Sequence, residues 1–470
     1  MKTELGARAV TLLLLVLTMG VSTTFWLLAG GLRFLAEHTV LGGPRAADVE
    51  SEAIDGEAPS IPTAADVAVI IAAHNEALVI SDTIRSALQL VPAGSIHVIS
   101  DGSSDDTAQV ARDAGVEVLE LNPNRGKAGA LVAGIEHFEL DSRYQVVLLL
   151  DADTRLSADY LETGLPSFRD PEVVAVAGRV STIEDPQPST LIGRFLVAYR
   201  ERLYVIVQLM LKYGQASKRI NAISIIPGFA SMYRANILPQ IDITAPDLVI
   251  EDFNMTFEIH DKQLGRIAFH PQSAVAYTQD PDRFPDYVKQ VNRWTLGFWQ
   301  TVRRHHFRAR TFWVALGFHI LELITSSVML ILLVPVFLLS LGAGLLVESM
   351  AAPDGFLVWL SHVLRPQDVL LGVILPDYIL TVVTALILRR PRYLLFGIAF
   401  PVMRVVDAWI CLRALPRARY SRSSDGKLQE LCTSGGCKSR RDDVEVGAGA
   451  RHQRDRQMNG LRGLSVHNSC

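Results

Sequence analysis

Val146-Val147-Leu148-Leu149-Leu150-Asp151-Ala152-Asp153 sets two acids two positions apart, directly after five apolar residues. A short, wholly apolar run of this kind reads as a strand buried on both faces. In extended backbone the side chains at 151 and 153 point the same way, so both can face one cation. Two hard oxygen ligands with open positions suit Mg²⁺ or Mn²⁺ shared with substrate phosphates. Taken alone, an Asp-x-Asp is common, and Asp is an ordinary helix cap. Its weight comes from its company.

Upstream, residues 67–72 (Val-Ala-Val-Ile-Ile-Ala), 96–100 and 116–119 are further strand-like runs, and 145–150 is the fourth. Helical stretches over 76–90, 105–114 and 127–138 lie between them. This alternation predicts an α/β domain with an open, mostly parallel sheet. Ligands of such sheets bind beyond the carboxyl ends of the strands. The residues in those places are His74-Asn75-Glu76 after the first strand and Asp101-Gly102-Ser103-Ser104-Asp105-Asp106 after the second. Asn124-Arg125-Gly126-Lys127 adds a glycine turn, a helix N-terminus and a lysine, a combination suited to phosphate. Each fragment alone passes for a turn or a cap. Their conjunction, in this order and after these strands, does not.

Three later segments belong to the same pattern: Pro227-Gly228-Phe229-Ala230-Ser231-Met232-Tyr233-Arg234, Glu251-Asp252 and Gln290-Val291-Asn292-Arg293-Trp294. By itself Glu251-Asp252 would be a helix start. Arg293 offers a forked donor for diphosphate. Trp294 offers either a flat face for a sugar ring or an anchor at the bilayer surface. From residue 67 to 299 the whole set resembles glycosyltransferase family 2, in the processive membrane branch of the poly-N-acetylglucosamine, hyaluronan and cellulose synthases.

The resemblance implies a GT-A fold flanked by transmembrane helices. It implies that Asn75, Glu76 and Asp101 hold the uridine of a UDP-sugar, Lys127 its diphosphate, and Asp151 and Asp153 the nucleotide and metal. It implies Asp252, next to Glu251, as general base, with Gly228, Phe229, Gln290, Arg293 and Trp294 at the acceptor and diphosphate end. Ile250 stands where the family usually has Thr, a departure that spares both acids.

The apolar residues are unevenly spread. Residues 10–30 form an uncharged run, long enough for the roughly 20 residues a span requires. Lys2 and Arg8 ahead of it also fit a secretory signal peptide, but its length favours an uncleaved anchor over 1–38. Residues 39–66 read as a linker and 67–300 as the catalytic domain. Apolar blocks at 312–347, 369–388 and 393–415 make 301–415 a membrane region, followed by a basic, disordered tail over 416–470. Arg303, Arg304, Arg308, Arg310, Arg389, Arg390 and Arg392 favour the cytoplasmic side, which puts a multi-pass protein in the cell membrane with a cytoplasmic catalytic domain. Three full C-terminal spans would leave the tail outside, whereas Pro401 would turn the last block into a re-entrant hairpin; the residues allow both. Residues 190–213 are amphipathic, either a core helix or one lying in the membrane interface.

A net charge of -4 gives no electrostatic footprint for nucleic acid. Cys432 and Cys437 lack the paired knuckle of a zinc site and read, with Cys470, as free thiols. The expected activity is inverting transfer of N-acetylglucosamine or glucose from a UDP-sugar onto a growing β-linked polysaccharide, processive and coupled to translocation. The full Gln290–Trp294 motif and the C-terminal spans favour polymer over transfer of one sugar to a membrane lipid, the reaction of ceramide glucosyltransferases. A transport protein whose soluble domain only senses nucleotides would leave Asp252 idle. Besides donor, acceptor and membrane lipids, the resemblance leaves room for a small accessory membrane subunit.

Overall fold

The computed structural model describes residues 2–38, 60–183 and 187–418. Most of the expected linker and tail, with Cys432, Cys437 and Cys470, lies outside the described residues.

Strands β1 (Val67–Ala73), β2 (Ile96–Asp101), β3 (Glu117–Leu121), β4 (Val146–Asp151), β5 (Arg155–Leu156), β6 (Val173–Ala177), β7 (Arg179–Thr182), β8 (Ala230–Arg234), β9 (Arg266–Ala268) and β10 (Val275–Thr278) follow in chain order. Seven of them form one sheet in the order β3-β2-β1-β4-β8-β6-β9, and β5-β10-β7 form a small second sheet. Pairings from β3 through β4 are parallel, while β8 runs antiparallel to both β4 and β6. The sheet is therefore mixed α/β with a parallel half, as expected, and an antiparallel insertion that the sequence did not announce.

Both faces of the parallel half are covered. Val67, Val69 and Ile71 pack with Ile84, Val98, Leu148 and Leu150 on one side. Ala68 and Ile70 pack with Ile99, Leu131, Ile135, Val147 and Leu149 on the other. Alternate residues of one strand thus enter opposite cores, which requires every position to be apolar. Helices Ile80–Leu88, Thr107–Asp113 and Gly126–His137 supply the covering layers.

Register brings the strand ends together. Ala73 pairs with Ser100, Ala72 with Asp151, and Leu150 with Ala230. The start of antiparallel β8 therefore lies at the carboxyl end of β4, and the amide of Asp151 donates to Phe229 O at 2.9 Å.

Two helical stretches, Thr311–Ser349 and Gly355–Ile387, are long and apolar enough to cross a membrane. The first buries only 17% of its apolar window inside the protein, leaving Phe318, Leu332 and Leu346 exposed. The expected single N-terminal anchor is a bent pair, Ala9–Met19 and Val21–Glu37, meeting at 61°. Gly20 makes the break at φ 82°. Glu322, from the Thr311–Ser349 helix, then accepts from Ser22 N at 2.6 Å and from Thr23 Oγ1 at 3.3 Å, satisfying the donors that open the second helix. The last apolar block is also divided, into Tyr393–Gly397 and Phe400–Arg417, with Pro401 in the first turn where its missing N–H costs nothing.

The amphipathic segment starts on Thr190, whose Oγ1 accepts from Gly193 N at 2.9 Å as an N-cap. It runs as α-helix over Leu191–Val205 and as a π-helical turn over Ile206–Lys212. Leu191 and Ile192 are exposed, yet Leu196, Tyr199, Arg200, Glu201 and Arg202 are buried. The middle of the segment is thus packed as a core helix, with an exposed apolar start.

Candidate active site

The carboxyl ends of β1, β2 and β4 and the start of β8 open onto one cleft. Across it, helix Glu251–Lys262 begins with its two acids in the first turn, where the helix dipole favours negative charge.

Lys127 joins the two sides. Its Nζ lies 2.7 Å from Asp151 Oδ1 and 2.8 Å from Glu251 Oε1, and donates to Gly228 O at 3.3 Å. Burial opposes its charge, but Asp151 and Glu251 hold the ammonium well above its usual range. Burial also pushes Glu251 up, and the Lys127 ammonium more than offsets this, leaving it below the ordinary carboxylate value. Asp252 differs. Burial and then the neighbouring Glu251 charge push it up to about 7. One of its oxygens accepts from Gly228 N at 2.8 Å, while Oδ1 is buried with no hydrogen-bond partner. A Cβ at position 228 would fall 1.9 Å from that Oδ1, so only glycine lets the backbone approach so closely.

On the β4 side, the Asp153 side chain meets solvent, and desolvation at the cleft wall, then the charge of Asp151, push its carboxyl up. Burial, followed by the charges of Asp153, Asp105 and Asp151, pushes Glu76 up to about 7. These carboxylates crowd one another, an arrangement that favours a cation between them. Among the described residues no three His, Cys, Asp or Glu side chains converge as a complete metal cage. Asp151 and Asp153 would therefore need ligands from elsewhere, and a diphosphate is one source.

Asn75, at φ 57°, accepts from Ser104 N at 2.8 Å through Oδ1 and ties the first loop to the second. Asp101 accepts from Arg125 N at 2.7 Å, and burial raises its carboxyl despite that bond. Asp105 accepts from Thr107 and from Ala77 N, so it braces these loops besides adding charge to the acid cluster.

Gln290, Arg293 and Trp294 lie on helix Phe284–Arg304. One turn beyond Trp294, a Cβ on Gly297 would meet Ile250 Cβ at 3.0 Å, and Gln300 Oε1 accepts from Val249 N at 3.0 Å. This helix thus packs on the segment that leads into Glu251 and Asp252. Arg293 is exposed and Trp294 half-buried, and Gln290 Oε1 is buried without a partner. Sequence reasoning missed Arg200, whose guanidinium carbon lies 4.2 Å from the Trp294 ring centroid. The signal was three consecutive charges, Arg200-Glu201-Arg202, in the middle of an amphipathic helix.

Residues 146–347 match the family model described as glycosyl transferase family group 2. That match contains the β4 acids, Gly228, the Glu251-Asp252 pair, the Gln290–Trp294 segment and most of the first C-terminal membrane helix. The chain is 27% identical over 251 residues to a poly-beta-1,6-N-acetyl-D-glucosamine synthase of Staphylococcus epidermidis, covering 50% of this chain and 57% of that protein. It is 26% identical over 247 residues to the synthase of the same name from Staphylococcus aureus, covering 51% and 56%. The chain therefore spans little more than half the length of these relatives. A solved glucosyl-3-phosphoglycerate synthase of Mycobacterium tuberculosis aligns at 16% identity and a TM-score of 0.34, covering 58% of this chain and 83% of that one, a likeness too slight to build on. With its mixed α/β sheet and its family match, the stretch from residue 146 to 347 is similar to glycosyl transferase family group 2.

Proposed function

We propose that this chain is a glycosyltransferase, an inverting, processive polysaccharide synthase that moves N-acetylglucosamine from UDP-N-acetylglucosamine onto a growing β-linked chain. Its catalytic domain works on the cytoplasmic side of the cell membrane, and its multi-pass membrane region carries the product. The observation that carries this reading is the Asp151–Lys127–Glu251 bridge, which gathers acids from distant segments around one cleft. The named relatives support a polymer product and this sugar.

In this reading Asn75, Glu76 and Asp101 hold the uridine, and Asp151 and Asp153 a divalent cation, Mg²⁺ or Mn²⁺. That ion would neutralise charge on the departing diphosphate. Lys127 is poised to exchange one of its carboxylate partners for a phosphate oxygen. The unpaired Asp252 oxygen takes the acceptor hydroxyl's proton as that hydroxyl bonds the anomeric carbon. The bond from that carbon to the diphosphate breaks, and its electron pair leaves with UDP. Gly228 and Phe229 shape the wall beside the base, with Gln290, Arg293 and Trp294 at the acceptor end.

The test is UDP release by the purified chain in detergent, against a panel of UDP-sugars with Mg²⁺ or Mn²⁺, followed by sizing of radiolabelled product. A long polymer made from UDP-N-acetylglucosamine is expected. A lipid bearing one sugar would overturn the polymer reading, and nucleotide binding without sugar consumption would overturn the whole assignment.

A further inference from the structure

Arg200 sits in the middle of the Leu191–Val205 helix with 3% of its surface exposed. Its guanidinium lies over the Trp294 ring at 4.2 Å, well within the roughly 6 Å at which a cation and an aromatic face attract. Two further groups hold that guanidinium, and a third steadies one of them. Its Nη2 donates to Tyr204 Oη at 3.0 Å, and its Nε faces Asp280 Oδ1 at 3.5 Å. Tyr204 Oη donates to the same Asp280 oxygen at 2.6 Å, and Thr182 Oγ1 donates to the other at 2.7 Å. The Asp280 side chain is 1% exposed. A charged group so thoroughly held and desolvated is a rigid platform, and the Trp294 indole lies on it with part of its own surface open.

We propose that Arg200, fixed by Asp280 and Tyr204, is a positioning residue that sets the angle of the Trp294 ring so that its free surface receives the acceptor sugar. This rests on the reading of Trp294 as an acceptor-side residue. An unheld indole turns about two side-chain bonds, and an acceptor hydroxyl displaced by about 1 Å loses much of its rate. Arg200 touches neither donor nor acceptor. Its effect therefore falls on acceptor use and passes entirely through the ring.

The test uses full-length Trp294→Ala, Arg200→Met, Arg200→Lys and the double variant Arg200→Met/Trp294→Ala. Apparent KM is measured for a β-1,6-linked N-acetylglucosamine oligosaccharide and, separately, for UDP-N-acetylglucosamine. Arg200→Met is expected to raise the oligosaccharide KM about tenfold, the size of one desolvated cation–aromatic contact, with donor KM unchanged. Arg200→Lys, which keeps a cation at the ring, is expected to recover most of it. The double variant is expected to be no worse than Trp294→Ala alone. If Arg200→Met strands the Asp280 charge and fails to fold, Arg200→Met/Asp280→Asn removes both charges and is measured in its place. Losses that multiply in the double variant, or a donor KM that rises with the acceptor KM, would make Arg200 a structural residue and overturn the proposal. If Trp294→Ala itself leaves the oligosaccharide KM unchanged, the acceptor reading of Trp294 fails first and takes this one with it.

Discussion

Two regions of this molecule gather charge, and they do so in opposite ways. In the cleft Glu76, Asp151, Asp153, Glu251 and Asp252 crowd together, and Lys127 bridges only Asp151 and Glu251. Asp252 keeps an unpaired oxygen, and Glu76 is pushed up to about 7 by burial and by its acidic neighbours. Where the Leu191–Val205 helix meets the C-terminal segments, buried charges of opposite sign are set against each other. Arg202 pairs with Asp377 through both terminal nitrogens, Arg404 reaches the same carboxylate at 3.1 Å, and Arg390 lies 2.8 Å from Glu201. The acid-rich cleft lacks charge that a cation and a substrate can bring. The paired junction balances acids with arginines and holds helices together. Surplus charge of one sign marks chemistry more surely than burial does.

Substitution at the base tests this contrast most severely. Asp252→Asn is expected to lower UDP release by about 10²- to 10⁴-fold, while donor binding measured by calorimetry persists. Near-full turnover would remove the acid from the mechanism. In the paired region Asp377→Ala should behave differently. It leaves Arg202 buried without its acid, at a cost of about 3–5 kcal/mol, seen as a lower unfolding temperature in detergent. The fraction still folded should release UDP at the ordinary rate; a loss of turnover with unchanged stability would blur the distinction between the two regions.

A smaller effect is expected at Gly228. Alanine there must push the base away from its Gly228 N bond, and misplacement of that order costs about 10²-fold in turnover with folding intact. The mildest test is pH. A base must be ionised to work, and Asp252 is pushed up to about 7. Turnover should therefore rise with pH until about neutrality and fall about tenfold for each unit below it. A profile already flat from about pH 5 upward would show that the Asp252 carboxyl is not raised in the working enzyme.

How much of this was legible follows from how local each cause is. The first four strands were readable to within a residue or two, because β1 and β4, buried on both faces, are almost wholly apolar and β2 is mostly so. Edge strand β3 was the least well bounded, since Glu117 and Glu120 are exposed. The strand-end acids were readable as a set because the sheet fixes where strands end. The β8 insertion was not, since Ala-Ser-Met-Tyr-Arg has no alternation distinguishing an antiparallel partner. Nor was the break at Gly20, whose cap comes from Glu322. The charge run around Arg200 was visible, but its role was not, because Asp280 and Trp294 reach it only through the tertiary fold.

Glu322 carries a consequence for biosynthesis. An acid within an apolar helix costs about 2.5–3.5 kcal/mol to insert into lipid when it stands alone, yet here it fastens onto the amide of Ser22 and the hydroxyl of Thr23. The ribosome makes the opening helices long before residue 322 emerges. Their final angle must therefore wait for a latch delivered late in translation, and the first part of the chain to be made is among the last to be finished.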